Sequence, residues 1–165
     1  MRIQVGGLSE GVHEYQFTAT GEGLGLGEPF KKDVTVRVTL ERSGDQFHIN
    51  AQILATGDFV CDRCASPFQT VVAPSYRMHY ITNPTESDGY DASEVQVLSP
   101  GFMILDIAED VRQTILLGIP LKLLCREQCA GLCPHCAKNL NEELCDCKDD
   151  VVDTRWEQLR KLRTN

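Results

Sequence analysis

C-R-E-Q-C-A-G-L-C-P-H-C-A-K-N-L-N-E-E-L-C-D-C, residues 125–147, holds six of the chain's eight cysteines: Cys125, Cys129, Cys133, Cys136, Cys145 and Cys147. Cys61 and Cys64 complete the set. Thiols at this density suit a tetrahedral metal site, in which four thiolates surround one zinc ion. At its centre, Leu132-Cys133-Pro134-His135-Cys136-Ala137 has the shape of a zinc knuckle. Two intervening residues let both sulfurs face one ion, and a small residue after the second cysteine leaves room for the backbone to curl. Cys145 and Cys147 follow closely enough that closing the loop costs little chain entropy. Cys133, Cys136, Cys145 and Cys147 are therefore expected to bind one structural Zn2+. A disulfide framework is disfavoured because no secretory signal precedes it, and reducing compartments keep thiols free. Iron–sulfur ligation stays open, since thiolates alone do not choose between zinc and iron.

Upstream, Pro120 to Leu124 leads into the cluster, and before it lies the best helical pattern, near 106–117. Ile107, Ala108, Val111 and Ile115 share one face, and Asp106 with Glu109 reads as a capping box. Gly118 is expected to stop the helix and Pro120 to prevent its return. Capping and solvation account for Asp106, Glu109 and Asp110 better than a catalytic cluster does. Val95 and Val97 suggest a short strand, and residues 83–94 an acidic loop. Tyr76, Met78 and Tyr80 alternate with Arg77 and His79. Base stacking on such aromatics is conceivable, but the buried face of a strand is the preferred account.

Cys61-Asp62-Arg63-Cys64 sits between two β patterns, Phe47 to Val60 and Phe68 to Val72. A thioredoxin-type dithiol would open a helix, and nothing helical follows. A second metal knuckle is preferred over a packed thiol pair or a catalytic dithiol. Gly57 marks a bulge or bend. Val34, Val36, Val38 and Leu40 alternate with polar residues, Ser43-Gly44-Asp45 turns the chain, and Phe47, Ile49, Ala51 and Ile53 resume the alternation. This is the clearest hairpin. Residues 21–27 carry four glycines but no Lys-Ser/Thr helix start, so they read as a mobile hairpin loop rather than a phosphate cradle. Met1 to Val5 reads as a first strand, not a targeting peptide.

Downstream, Trp156, Leu159 and Leu162 form the apolar stripe of a last helix, where Arg155, Arg160, Lys161 and Arg163 cluster. Complementing the helix dipole explains these cations, and phosphate contact by them is the minority reading. The net charge of −8 argues against a whole-molecule grip on nucleic acid, and each four-thiolate zinc site would add two negative charges. No apolar run spans a bilayer. The expected compartment is the cytoplasm.

The ligands divide in two ways. Cys61, Cys64, Cys125 and Cys129 can share a second ion, keeping the first site local; this is preferred. Alternatively the two knuckles pair with each other, leaving Cys125, Cys129, Cys145 and Cys147.

F-V-C-D-R-C-A-S-P-F, the capped helix ending G-I-P-L-K, C-R-E-Q-C-A-G-L-C-P-H-C-A-K-N-L-N, C-D-C and D-T-R-W-E-Q-L-R-K-L together resemble the YceD family, the bacterial and plastid large ribosomal RNA subunit accumulation proteins. The resemblance implies a non-enzymatic factor supporting large-subunit ribosomal RNA, with no catalytic residues, whose metal staples the fold. The implied partner is ribosomal RNA or the pre-ribosomal large subunit, reached directly or through a ribosomal protein, with no membrane or small-molecule substrate. The expected architecture is α+β. Residues 1–120 form a mainly antiparallel β domain with one packing helix, and residues 121–165 a Cys-rich segment holding one or two zinc ions and ending in a short helix. The competing expectation is a redox-sensitive zinc protein whose cluster acts as a thiol switch.

Overall fold

The computed structural model describes residues 1–83, 89, 91, 93–99 and 101–147. The chain divides into two compact units, Met1–Phe59 with Pro67–Leu123, and Val60–Ser66 with the segment from Leu124 onward.

The first unit is a mostly antiparallel, mixed sheet with one helix. The strands are β1 (Arg2–Gln4), β2 (Gly11–Thr20), β3 (Asp33–Ser43), β4 (Gln46–Val60), β5 (Pro67–Val72), β6 (Ser75–Ile81), β7 (Val95–Val97) and β8 (Ile104–Asp106), followed by α1 (Ala108–Leu117). The main sheet runs β2-β3-β4-β6-β7, with β5 also paired to β4, while β1 and β8 form a separate two-stranded sheet. β6 and β7 are parallel; the other registered pairs are antiparallel. The sequence pattern that predicts the central hairpin sets its register, Val34↔Ala55 to Ser43↔Gln46. A one-residue slip from that register would put the two apolar rows on opposite faces.

Val34, Val36, Val38, Leu40, Ile49, Ala51, Ile53 and Ala55 line that face and are buried, together with Ile107, Val111 and Ile115 of the helical stretch. Each large aliphatic side chain so removed from water contributes about 1.5–3 kcal/mol. Tyr76, Met78 and Tyr80 join the same core, so the aromatic row of β6 is structural.

Several local expectations are corrected. Residues 21–27 are not a loose loop. Leu24 and Leu26 are buried in the core, the Leu26 N–H donates to the Gly21 carbonyl at 2.9 Å, and a Cβ on Gly21 would lie 1.8 Å from the Phe30 carbonyl oxygen. Buried and less buried residues alternate unbroken through Gly57, so no bulge stands there; a Cβ would meet the Phe59 ring at 2.5 Å, so close packing favours glycine. Asp106 ends β8 and does not cap the helix from the N-cap position, which Ile107 occupies. Its carboxylate still accepts the Ala108 N–H at 3.1 Å and pairs with Arg2. Glu109 bonds Arg112 and Gln113 instead of closing a capping box. Gly118 does end the helix as expected, as its C-cap, but in right-handed geometry (φ −78°), and its missing Cβ makes room for Pro74, 2.9 Å away. β8 itself was not foreseen. The acidic stretch 83–94 falls largely outside the described residues.

Candidate metal centres

The second unit contains all eight cysteines, and its sulfurs converge in two groups of four: Cys61, Cys64, Cys125 and Cys129, and Cys133, Cys136, Cys145 and Cys147. Within each group the sulfurs all lie within 4.8 Å of one another. This grouping matches the first of the two partitions.

The two C-x-x-C turns are built alike. In the first, which joins β4 to β5, the Cys61 N–H donates to the Ser66 carbonyl at 3.0 Å and the Ala65 N–H returns to the Cys61 carbonyl at 2.9 Å. In the second, the Cys133 N–H donates to the Lys138 carbonyl at 2.8 Å and the Ala137 N–H to the Cys133 carbonyl at 2.9 Å. Each turn closes through an alanine in the left-handed region, Ala65 at φ 54° and Ala137 at φ 57°. A β-branched or bulky side chain is poorly tolerated there, which suits the alanine of the repeated C-x-x-C-A. Neither turn opens a helix, so neither thiol gains the helix-end field that a dithiol oxidoreductase uses.

In the first group Cys61 Sγ lies 3.8 Å from Cys129 Sγ, and Cys64 Sγ 3.7 Å from Cys125 Sγ. An ideal tetrahedron with metal–sulfur bonds of about 2.3 Å has sulfur–sulfur edges of about 3.8 Å, so the set fits a zinc-sized ion. Cys61, Cys64 and Cys129 are buried, and Cys125 is exposed. Asn141 ties the group to the second loop. Its amide nitrogen donates to Cys129 Sγ at 3.3 Å, and its carbonyl oxygen accepts the Ala130 N–H at 2.8 Å. The Arg63 carbonyl accepts the Leu132 N–H at 3.0 Å, and the Arg63 guanidinium reaches the Cys129 carbonyl at 2.9 Å. Gly131 passes this point with φ +82° and only 3.2 Å between its would-be Cβ and the Arg63 oxygen, so glycine is needed twice over.

The second group is more open: Cys133 is buried, Cys145 half-buried, Cys136 and Cys147 exposed. Cys145 Sγ and Cys133 Sγ are 3.3 Å apart. The N–H groups of His135 and Cys147 donate to Cys133 Sγ and Cys145 Sγ.

Ionisation follows this wiring. Burial opposes the Cys61 thiolate, but the N–H groups of Cys125, Cys64 and Arg63 outweigh it and bring the thiol down to about 6. Cys133 also comes down to about 6, through the N–H groups of Cys136 and His135. Crowding acts the other way on their neighbours. Burial and then the adjacent sulfurs push Cys125 up to about 12, and the sulfurs of Cys145 and Cys136 push Cys147 up to about 12. Backbone donors thus favour the thiolate at Cys61 and Cys133, while Cys125 and Cys147 need a cation before they shed their protons.

Elsewhere the acidic residues have structural partners: Asp106 with Arg2, Glu109 with Arg112, and Asp110 accepting the Tyr80 hydroxyl at 3.2 Å. Arg155, Arg160, Lys161 and Arg163, with the expected terminal helix, lie outside the described residues. The Asn141 contacts escaped sequence reasoning because an asparagine in a loop carries no signal of what its amide will reach.

A family model described as the large ribosomal RNA subunit accumulation protein YceD matches residues 49–163. The match begins within β4 and takes in every cysteine. No curated protein and no solved structure matches the chain.

Proposed function

The chain belongs to the YceD family of large ribosomal RNA subunit accumulation proteins, and from that premise we propose that it is a non-catalytic assembly factor held in shape by two structural zinc ions. The family is one of accumulation factors, not a known enzyme family. In this reading Cys61, Cys64, Cys125 and Cys129 hold one ion and Cys133, Cys136, Cys145 and Cys147 the other. The factor acts by binding ribosomal RNA or a ribosomal protein in the cytoplasm, with Arg155, Arg160, Lys161 and Arg163 as RNA-contacting candidates. Among the described residues no helix is long and apolar enough to cross a membrane. The observation that carries the metal assignment is the convergence of eight sulfurs into two tetrahedral-sized groups on matching knuckles. Full coordination by thiolates leaves no open position for substrate, which fits a structural role.

The test is co-sedimentation of the tagged full-length chain with large-subunit precursors. The expected result is a shared peak that weakens when residues 154–165 are deleted. A chain that stays in the free fractions overturns the assembly role.

The competing reading, a thiol switch, draws on the exposure of Cys136 and Cys147. It requires mild peroxide to eject metal, and full retention of metal under peroxide excludes it.

A further inference from the structure

We infer that β2 is a docking edge for an extended, basic segment of a partner protein, which adds to the main sheet as a further strand. This rests on the assembly-factor reading and chooses between its two partner classes.

The edge follows from the topology. β2 stands at one end of the order β2-β3-β4-β6-β7, and among the described residues no strand pairs with its other side. At the opposite end β7 is only 3 residues long, the usual way of blunting an edge. β2 runs for 10 residues, and its register with β3 is unbroken from Gly11↔Arg42 to Thr20↔Asp33. It contains no proline, lysine, arginine or bulge, the devices that normally prevent a strand from being extended.

Its free hydrogen-bonding groups can be assigned. One step past the last pair, the Gly21 N–H donates to the Lys32 carbonyl. Antiparallel ladders alternate, so the odd-numbered residues of β2 bond to β3. The N–H and C=O groups of Val12, Glu14, Gln16 and Thr18 therefore point away from the sheet.

The side chains describe what would cover them. His13, Tyr15, Phe17 and Ala19 are only half-buried, although their register partners Leu40, Val38, Val36 and Val34 are at most 1% exposed. An added strand would place alternate apolar side chains beside that half-open row. The other row holds Glu14, with Glu10, Asp33 and Glu41 bordering it. Of the nearby arginines, Arg42 is committed to the Leu8 and Gly44 carbonyls, leaving Arg37 across from Gln16. With a net charge of −8, the molecule attracts a lysine- or arginine-rich strand and repels a polyanion. A strand alternating apolar and basic residues satisfies both rows at once.

The probe is a capped peptide alternating valine and lysine over the length of β2, titrated into the metal-loaded full chain and followed by amide NMR. The expected shifts centre on Val12, Glu14, Gln16 and Thr18, and a valine–glutamate peptide should bind about tenfold more weakly or not at all. Gln16→Pro deletes an outward N–H without touching the β3 ladder and should abolish binding, whereas Gln16→Ala should not. Should Gln16→Pro fail to fold, Glu14→Lys, which leaves the backbone intact, should still weaken the lysine peptide and strengthen the glutamate one. Absent β2 shifts, equal binding of both peptides, or equal binding by Gln16→Pro and Gln16→Ala would overturn the inference. In cells, Gln16→Pro should reduce co-sedimentation with large-subunit precursors. If the parent chain co-sediments and a folded Gln16→Pro does so equally, RNA or another surface is the contact and the docking edge is wrong. If the parent chain does not co-sediment, the assembly role itself is wrong.

Discussion

At the scale of the residue, Asp110 and the two knuckle alanines show how environment assigns a role. Asp110 is half-buried beside Tyr80; burial raises its carboxyl above the ordinary range, and the Tyr80 hydroxyl only partly offsets this. The sign follows from linkage. A carboxyl whose folded pKa exceeds its unfolded value favours the folded state below the unfolded pKa, about 4, and loses that contribution as pH rises through the folded value. Asp110→Asn, whose amide oxygen still accepts from Tyr80, should therefore gain on the parent chain in urea midpoint between about pH 4 and pH 7. A difference that is the same at both pH values would show that the carboxyl's burial has no such linkage. Ala65 and Ala137 carry a different lesson. C-x-x-C-A was visible twice in the sequence, with the small residue read as room for the backbone to curl; the paired left-handed backbones show which conformation it serves.

At the scale of the element, the two sulfur groups differ in exposure, and loss of a ligand should differ accordingly. Cys61 is 2% exposed, and its knuckle is bonded to the loops carrying Gly131 and Asn139. Cys61→Ser should lower metal content from two ions to about one per chain and destabilise the second unit by about 3 kcal/mol or more, since it strands buried thiolates. Cys147→Ser, at an exposed position, should lose metal with a smaller penalty because water can replace the missing ligand. Elemental analysis with chemical denaturation measures both. Equal penalties would mean that the buried group is not the stronger staple. The helix and hairpin were legible because apolar residues recur at periods of 3.6 and 2. β8, three residues with two of them exposed, has no period to detect and exists by pairing with β1.

At the scale of the whole molecule, the proposed metals would give the two units different sources of stability. The apolar core draws its members from the first unit and none from residues 60–66 or 124–147. Removing metal should therefore strip amide protection from 61–66 and 124–147 while β3 and β4 keep theirs. Structural zinc is worth about 10–16 kcal/mol in small metal-folded domains, far more than the hydrogen bonds among the described residues of this unit would supply. Hydrogen exchange before and after chelation reads this directly; protection that persists in 124–147 would show that hydrogen bonds alone order the segment. Net charge also acts at this scale, favouring a basic partner over a polyanion.

Sequence by itself determined the α+β class, the central hairpin, the packing helix and the set of eight thiols, because periodicity, turn residues and C-x-x-C spacing are local properties. It left open which cysteines converge, it misread residues 21–27, and it missed what packs at Gly57 and Gly118. Tertiary structure decided those points. Sulfurs separated by some sixty residues converge only after β4 turns at Cys61, and a glycine's role is fixed by which distant atom occupies the space where a Cβ would stand.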